Sequence, residues 1–276
     1  MGATLGRMIY TGVQSYADIR GSGARRRDIE DALAAGTIVR VQRGWYAGRD
    51  ADQRVVRGLV DGCRLGCLTG CAVHGIWTPR DDRIHAVYGR GNQPVEREEY
   101  VLHADPGPRP RTPLWPLVDC LRQVARHHDT ETTLIVVESA LYKGLVSPDE
   151  VQDIVAALPV DRRGFAGQLR RAESGTETRV RYFLKRRGVG VRPQVVVSGV
   201  GRVDLLVGQS LIIECDSDEF HRSREQQFLD RERDLSARLL GYNTLRLSYD
   251  HVWWRWEQTQ ERLLWQTRRR HHGRRP

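Results

Sequence analysis

Two apolar runs, Leu205-Leu206-Val207 and Leu211-Ile212-Ile213, flank the triplet Gly208-Gln209-Ser210. Short aliphatic runs split by a glycine-led triplet read as a β-hairpin. A three-residue loop sets Val207 opposite Leu211, and Asp204 then falls opposite Glu214. Directly opposed residues lie roughly 5 Å apart at Cβ. Asp216, two residues further on, projects from the same strand face as Glu214. Apolar strands thus deliver three carboxylates to one patch. Buried carboxylates need a cation or hydrogen-bond donors, and clustered ones are the hard oxygen ligands that Mg²⁺ and Mn²⁺ prefer. The competing reading is a solvated polar face on an edge hairpin.

Elsewhere the pattern predicts alternating helices and strands. Val13–Arg20 reads as a short helix, Gly21-Ser22-Gly23 as a turn, and Ala24–Ala35 as a second helix with Ile29 and Leu33 on one face, closed by Gly36. Thr37–Gln42 and Trp45–Ala47 read as strands around the Arg43-Gly44 turn. This is the outline of a winged helix-turn-helix. Val55–Cys71 reads as a helix, Arg83–Tyr88 and Tyr100–His103 as strands, and Gly89–Pro94 as a loop. Leu114–Ala125, Thr132–Gly144 and Pro148–Leu158 read as helices after the proline-rich 105–113. Residues 159–168 read as a boundary. Ser174 or Thr176 caps a helix bearing Glu177, and a final helix spans Trp253–Trp265, with Trp254, Trp256 and Trp265 as packing residues. The fold class expected is α/β, with an α+β N-terminal half. Three parts follow: residues 1–50, a middle α/β region 51–160, and 165–276.

Charge sharpens this picture. The net charge is +9, and the only lysines are Lys143 and Lys185. Arginine suits bidentate phosphate contacts, and a basic excess argues for a polyanionic partner. Arg25, Arg26 and Arg27 open a helix whose dipole they oppose. Phosphate contact would explain them, and Arg43 at the turn; solvated arginines on a helical hairpin are the alternative. The cluster Arg268–Arg275 reads as a tail adding non-specific backbone affinity. Five cysteines, an odd number without an export signal, argue against a disulfide framework. Cys63, Cys67 and Cys71 fall at i, i+4, i+8 near His74, but no second ligand pair follows, so they read as buried small hydrophobes. His74, His85 and His103 show no ligand spacing and read as packing or surface residues. No apolar run approaches a membrane span, so a soluble cytoplasmic protein is expected, nucleoid-associated when bound to DNA.

The run GRVDLLVGQSLIIECDSDEFHRSREQQFLDRERDLSARLLGYNTLRLSYDHV, residues 201–252, resembles the very-short-patch-repair (Vsr)-like endonucleases of the PD-(D/E)XK superfamily. The positions carrying the resemblance are Glu177, Asp204, Glu214 with Asp216, His221, Asp230 with Arg233, Gly241, and Leu245-Arg246. Asp216 stands where the superfamily usually has lysine. The segment ARRRDIEDALAAGTIVRVQRGWYAG, residues 24–48, is similar to the winged helix of AbiEi-type antitoxins, which bind promoter DNA.

These resemblances imply a mixed-sheet nuclease domain behind a DNA-targeting module, in bacterial defence, mobile-element biology or repair. Hydrolysis of phosphodiester bonds in DNA would use Mg²⁺ or Mn²⁺ on Asp204 and Glu214, with Asp216 as a further ligand or orienter. His221, with an unperturbed pKa of about 6.5, is either the general base or a partner of a carboxylate. Glu177 is either a metal-site residue or a first-turn acid favoured by its helix dipole. Arg233 either clamps a phosphate or pairs with Asp230 at i−3. The middle region would couple the two ends or bind a protein partner, and paired cuts on opposite strands would imply a homodimer. Two alternatives stand beside this: a non-catalytic antitoxin-like regulator with a silent nuclease fold, and an RNA substrate.

Overall fold

The computed structural model describes residues 12–88, 97–105, 107–108, 110–216 and 224–268, with the side chains of 224–227 and 230 excluded. The expected 89–94 loop, His221, the Asp230 side chain and residues 269–275 of the basic tail lie outside the described residues. The chain mixes helices and sheets, compatible with an α/β class. The chain forms two compact units, residues 1–75 with 80–127 and residues 76–79 with 128–276.

The first unit begins with strand β1 (Val13–Ser15) and helices α1 (Tyr16–Gly21) and α2 (Arg26–Ala34), followed by strands β2 (Ile38–Gln42) and β3 (Trp45–Gly48). The expected Val13–Arg20 helix opens as a strand over Val13–Ser15. Ser15 and Asp18 form a reciprocal capping box that starts α1 at Tyr16, while Val13 and Gln14 pair with Ala47 and Tyr46. The resulting antiparallel sheet has the order β1-β3-β2. Ile19, Ile29, Ile38 and Tyr46 fill the core against it.

The expected Val55–Cys71 helix is two helices, α3 (Gln53–Val60) and α4 (Cys67–Val73). Apolar residues recur at helical spacing, but Gly62 has φ +74° and ends the first helix. Leu65 then bridges to Ala86 and Leu114 before α4 begins. Cys63, Cys67 and Cys71 therefore do not share one helix face. Strands β4 (Ile84–Tyr88) and β5 (Tyr100–Ala104) pair in parallel, and helix α5 (Leu117–His127) completes the unit.

The second unit carries helices α6 (Thr130–Tyr142) and α7 (Pro148–Ala156), a 3₁₀ segment (Val160–Gln168), and α8 (Gly175–Lys185). The 159–168 stretch, expected as a boundary, lies inside this unit with Phe165 buried. Strands β6 (Val191–Val197), β7 (Gly201–Val207), β8 (Leu211–Asp216) and β9 (Asn243–Ser248) form one mixed sheet in chain order. The pairs β6–β7 and β7–β8 are antiparallel, and β8–β9 is parallel, crossing through helix α9 (Arg224–Leu239). Parallel neighbours require such a crossover. One core joins Val180, Phe183 and Leu184 of α8 to Leu205, Val207, Leu211 and Ile213. A second sets Ala237 of α9 against Leu206 and Ile212. Successive strand residues face opposite ways, so the near-continuous apolar runs are buried on both faces.

The expected final helix is likewise two, α10 (Tyr249–Trp253) and α11 (Trp256–Arg268). Trp256 packs edge-on against Phe183. Trp254 and Trp265, expected as packing residues, are 58% and 52% exposed. Trp253 instead is tied in: its indole donates to Thr176 Oγ1 at 3.1 Å, and the Arg179 guanidinium lies over its ring. Gly175 opens α8 against Trp77, where a Cβ would meet the indole at 2.2 Å. Gly175→Ala should therefore destabilise the fold by about 1–3 kcal/mol through overpacking, measured as a lowered urea midpoint.

Candidate active site

The hairpin register matches the sequence expectation: Val207 pairs with Leu211 and Leu205 with Ile213. Beyond that pair the strands fork, and carboxylates replace the backbone partners. The amide of Asp204 donates to Glu214 Oε2 at 3.3 Å, and the amide of Cys215 donates to Asp204 Oδ2 at 2.8 Å. The two acids are thus held across the mouth of the fork by peptide N–H groups.

Glu177 reaches the same place from α8. Its helix starts at the Ser174 cap, and Ser174 Oγ also donates to Glu177 Oε1 at 2.9 Å. Glu177 lies in the first turn of α8 and is 3% exposed. Gln194 of β6 links the two parts: its Nε2 donates to Glu177 Oε2 at 2.7 Å and to Asp204 Oδ1 at 3.4 Å. Sequence reading missed Gln194. It has φ +53°, an uncommon region for a non-glycine residue, and it interrupts the pairing between Pro193↔Leu205 and Val195↔Val203. The signal available was a lone amide after Pro193 at the start of an apolar strand. Proline confines that strand to the sheet edge.

Burial and crowding set the electrostatics. Burial first, then the Asp204 charge, pushes Glu177 up to about 7. The same two causes push Glu214 up to about 7. Asp204 is raised too, mainly by burial. Arg233 of α9 offsets part of this charge. It meets Glu214 Oε1 at 3.3 Å and donates to the carbonyls of Val200 and Arg202. Arg233 therefore belongs to the acid cluster, which the choice between phosphate clamp and Asp230 partner left open.

Asp216 faces a different neighbour. Arg246, the β9 partner of Glu214, lies 3.5 Å from Asp216 and binds Asp234 through two nitrogens at 2.9 and 3.0 Å. Among the described residues, then, the structure brings together Glu177, Asp204, Glu214 and Arg233, with Asp216 alongside through Arg246. In the first unit, Arg25, Arg26, Arg27 and Arg43 are all exposed. The Arg25 amide donates to Asp28, and Arg26 pairs with Glu30 at 2.9 Å, so acids one turn along ease the unfavourable helix dipole.

The donor set suits a hard divalent cation. Three carboxylates share a confined space, and the buried amide oxygen of Gln194 has no hydrogen-bond partner. Carboxylate and amide oxygens are the ligands such ions take.

No family model matches the chain, and no curated protein matches it. Among solved structures, the crystal structure of RV2827C protein from Mycobacterium tuberculosis is similar over 63% of this chain and 71% of its own, at 16% identity and a TM-score of 0.24, a likeness that fixes neither fold nor function.

Proposed function

We propose that the second unit is a metal-dependent DNA endonuclease of the Vsr-like kind and that the first unit holds it on DNA. The observation that carries this reading is the convergence of Glu177, Asp204 and Glu214 on one strand fork, bridged by Gln194 and bordered by Arg233. Asp204 and Glu214, with the Gln194 amide oxygen, would hold Mg²⁺ or Mn²⁺. When bound, that ion supplies Lewis-acid polarisation of the scissile phosphate and lowers the pKa of the attacking water. Arg233 offers a guanidinium to a non-bridging phosphate oxygen. Glu177, pushed up to about 7, is suited to take a proton near neutral pH. The exposed arginines of α2 and the β2–β3 turn supply backbone affinity.

The test is cleavage of supercoiled plasmid in Mg²⁺ or Mn²⁺, with EDTA as control. Asp204→Ala and Glu214→Ala should each lose on the order of 10³-fold in rate, equivalent to several kcal/mol of transition-state stabilisation. Wild-type protein that footprints DNA without metal and never cuts it would instead support a non-catalytic regulator. Preferential cutting of RNA would reassign the substrate.

A further inference from the structure

A second, chemically different cluster lies in the first unit. Cys67 opens α4, His85 sits on β4 and His103 on β5. The parallel register pairs His85 with Val101 and Val87 with His103, so the two histidines fall on one sheet face, one step apart. Their rings stack with centroids 5.4 Å apart. Cys67, His85 and His103 each offer one ligand atom within 4.8 Å of the others. Spacing along the sequence gave no hint of this, because each donor comes from a different element.

Three further features favour an ion over simple packing. First, His85 Nε2 lies 3.1 Å from Asp81 Oδ2, while its Nδ1 lies 3.2 Å from His103 Nε2. The carboxylate fixes the proton on Nε2 and leaves the Nδ1 lone pair facing His103. This carboxylate–histidine pairing is the usual support of a metal-bound imidazole. Two nitrogens 3.2 Å apart match neighbouring corners of a tetrahedron with metal–nitrogen bonds of about 2.0–2.1 Å. Second, Cys67 has φ +49°, a conformation that costs a non-glycine residue about 1–3 kcal/mol and clusters at functional sites. Its amide is pinned by Gln123 Oε1 at 2.9 Å, and Gln123 in turn donates to Asp105. Third, Cys67 and His85 are 0% and 1% exposed, with His103 half-buried beside them.

We infer that Cys67, His85 and His103 form a site for a thiophilic divalent cation, zinc above all, with Asp81 orienting His85. One sulfur and two imidazoles suit zinc and disfavour Mg²⁺. The ion would tie α4, β4 and β5 together, independently of the carboxylate site.

The full-length chain, stripped of metal and titrated with Co²⁺, tests this directly. The expected result is one ion per chain with a thiolate-to-cobalt charge-transfer band, displaced by Zn²⁺. Cys67→Ser should abolish that band, while Cys71→Ser and Cys120→Ser should keep it. Asp81→Asn should leave the band but weaken Zn²⁺ binding by about 10–100-fold. A folded wild-type chain that binds Co²⁺ without the band, or binds none, overturns the inference, as does a band that survives Cys67→Ser. Carboxylates give no sulfur band, so failure here leaves the nuclease reading untouched, and the reverse also holds.

Discussion

Arg181→Met will destabilise the second unit by about 3–5 kcal/mol, read as a fall in the urea midpoint. Arg181 and Glu138 form an ion pair in which both side chains are 1% exposed. The Glu138 carboxylate also accepts from the Arg170 amide at 2.7 Å and from Thr178 Oγ1 at 2.6 Å, and Arg181 donates to the Gln168 carbonyl at 3.1 Å. The pair therefore pins α6, α8 and the end of the 3₁₀ segment together. Burial alone would raise Glu138, and the Arg181 charge is the first of the effects that oppose it. Without the guanidinium the carboxylate must either take up a proton or stay charged out of water, and both cost stability. The pair is nonetheless imperfect, since Arg181 Nε is buried without a hydrogen-bond partner. Arg181→Met combined with Glu138→Leu should consequently recover most of the loss. A double variant as unstable as the sum of the single ones would show that the two residues act separately.

In EDTA the protein will become less stable as pH rises from about 4.5 to about 7. Glu177 and Glu214 move from 4.5 to about 7 on folding. A raised carboxyl holds its proton longer in the folded chain than in the unfolded one. Its stabilising effect is complete below the unfolded pKa and is lost as pH climbs through the folded value. A move from 4.5 to about 7 corresponds to on the order of 3 kcal/mol for one group. The two do not simply add, because both respond to Asp204. Millimolar Mg²⁺ should reverse the loss at pH 8, since an ion that binds only the folded form stabilises it. Thermal melts across this range, with and without Mg²⁺, provide the measurement, and Glu214→Gln should flatten the EDTA profile. A melting temperature that rises with pH in EDTA would mean that these acids are not held as crowded, buried carboxyls.

Legibility in the sequence followed the range of the forces involved. The β7–β8 hairpin could be read because a tight turn and its flanking apolar residues are local, and that register placed Asp204 near Glu214. Glu177 was found through its cap and its resemblance position, but its burial depends on α8 packing against the sheet. Gln194 escaped because an amide has no motif until a distant carboxylate faces it. Helix periodicity ran through Gly62 because apolar spacing continued while the backbone turned. The Cys/His cluster was invisible for a related reason: parallel pairing of β4 with β5 aligns residues that no short spacing connects.

The fork between β7 and β8 also bears on how such a site persists in a lineage. The amides of Asp204 and Cys215, which further strand pairing would engage, instead hold carboxylates. Replacing those acids by β-branched residues would let the strands zip further and would relieve the charge crowding. Selection for stability alone would therefore close the fork, so stability does not account for an open one.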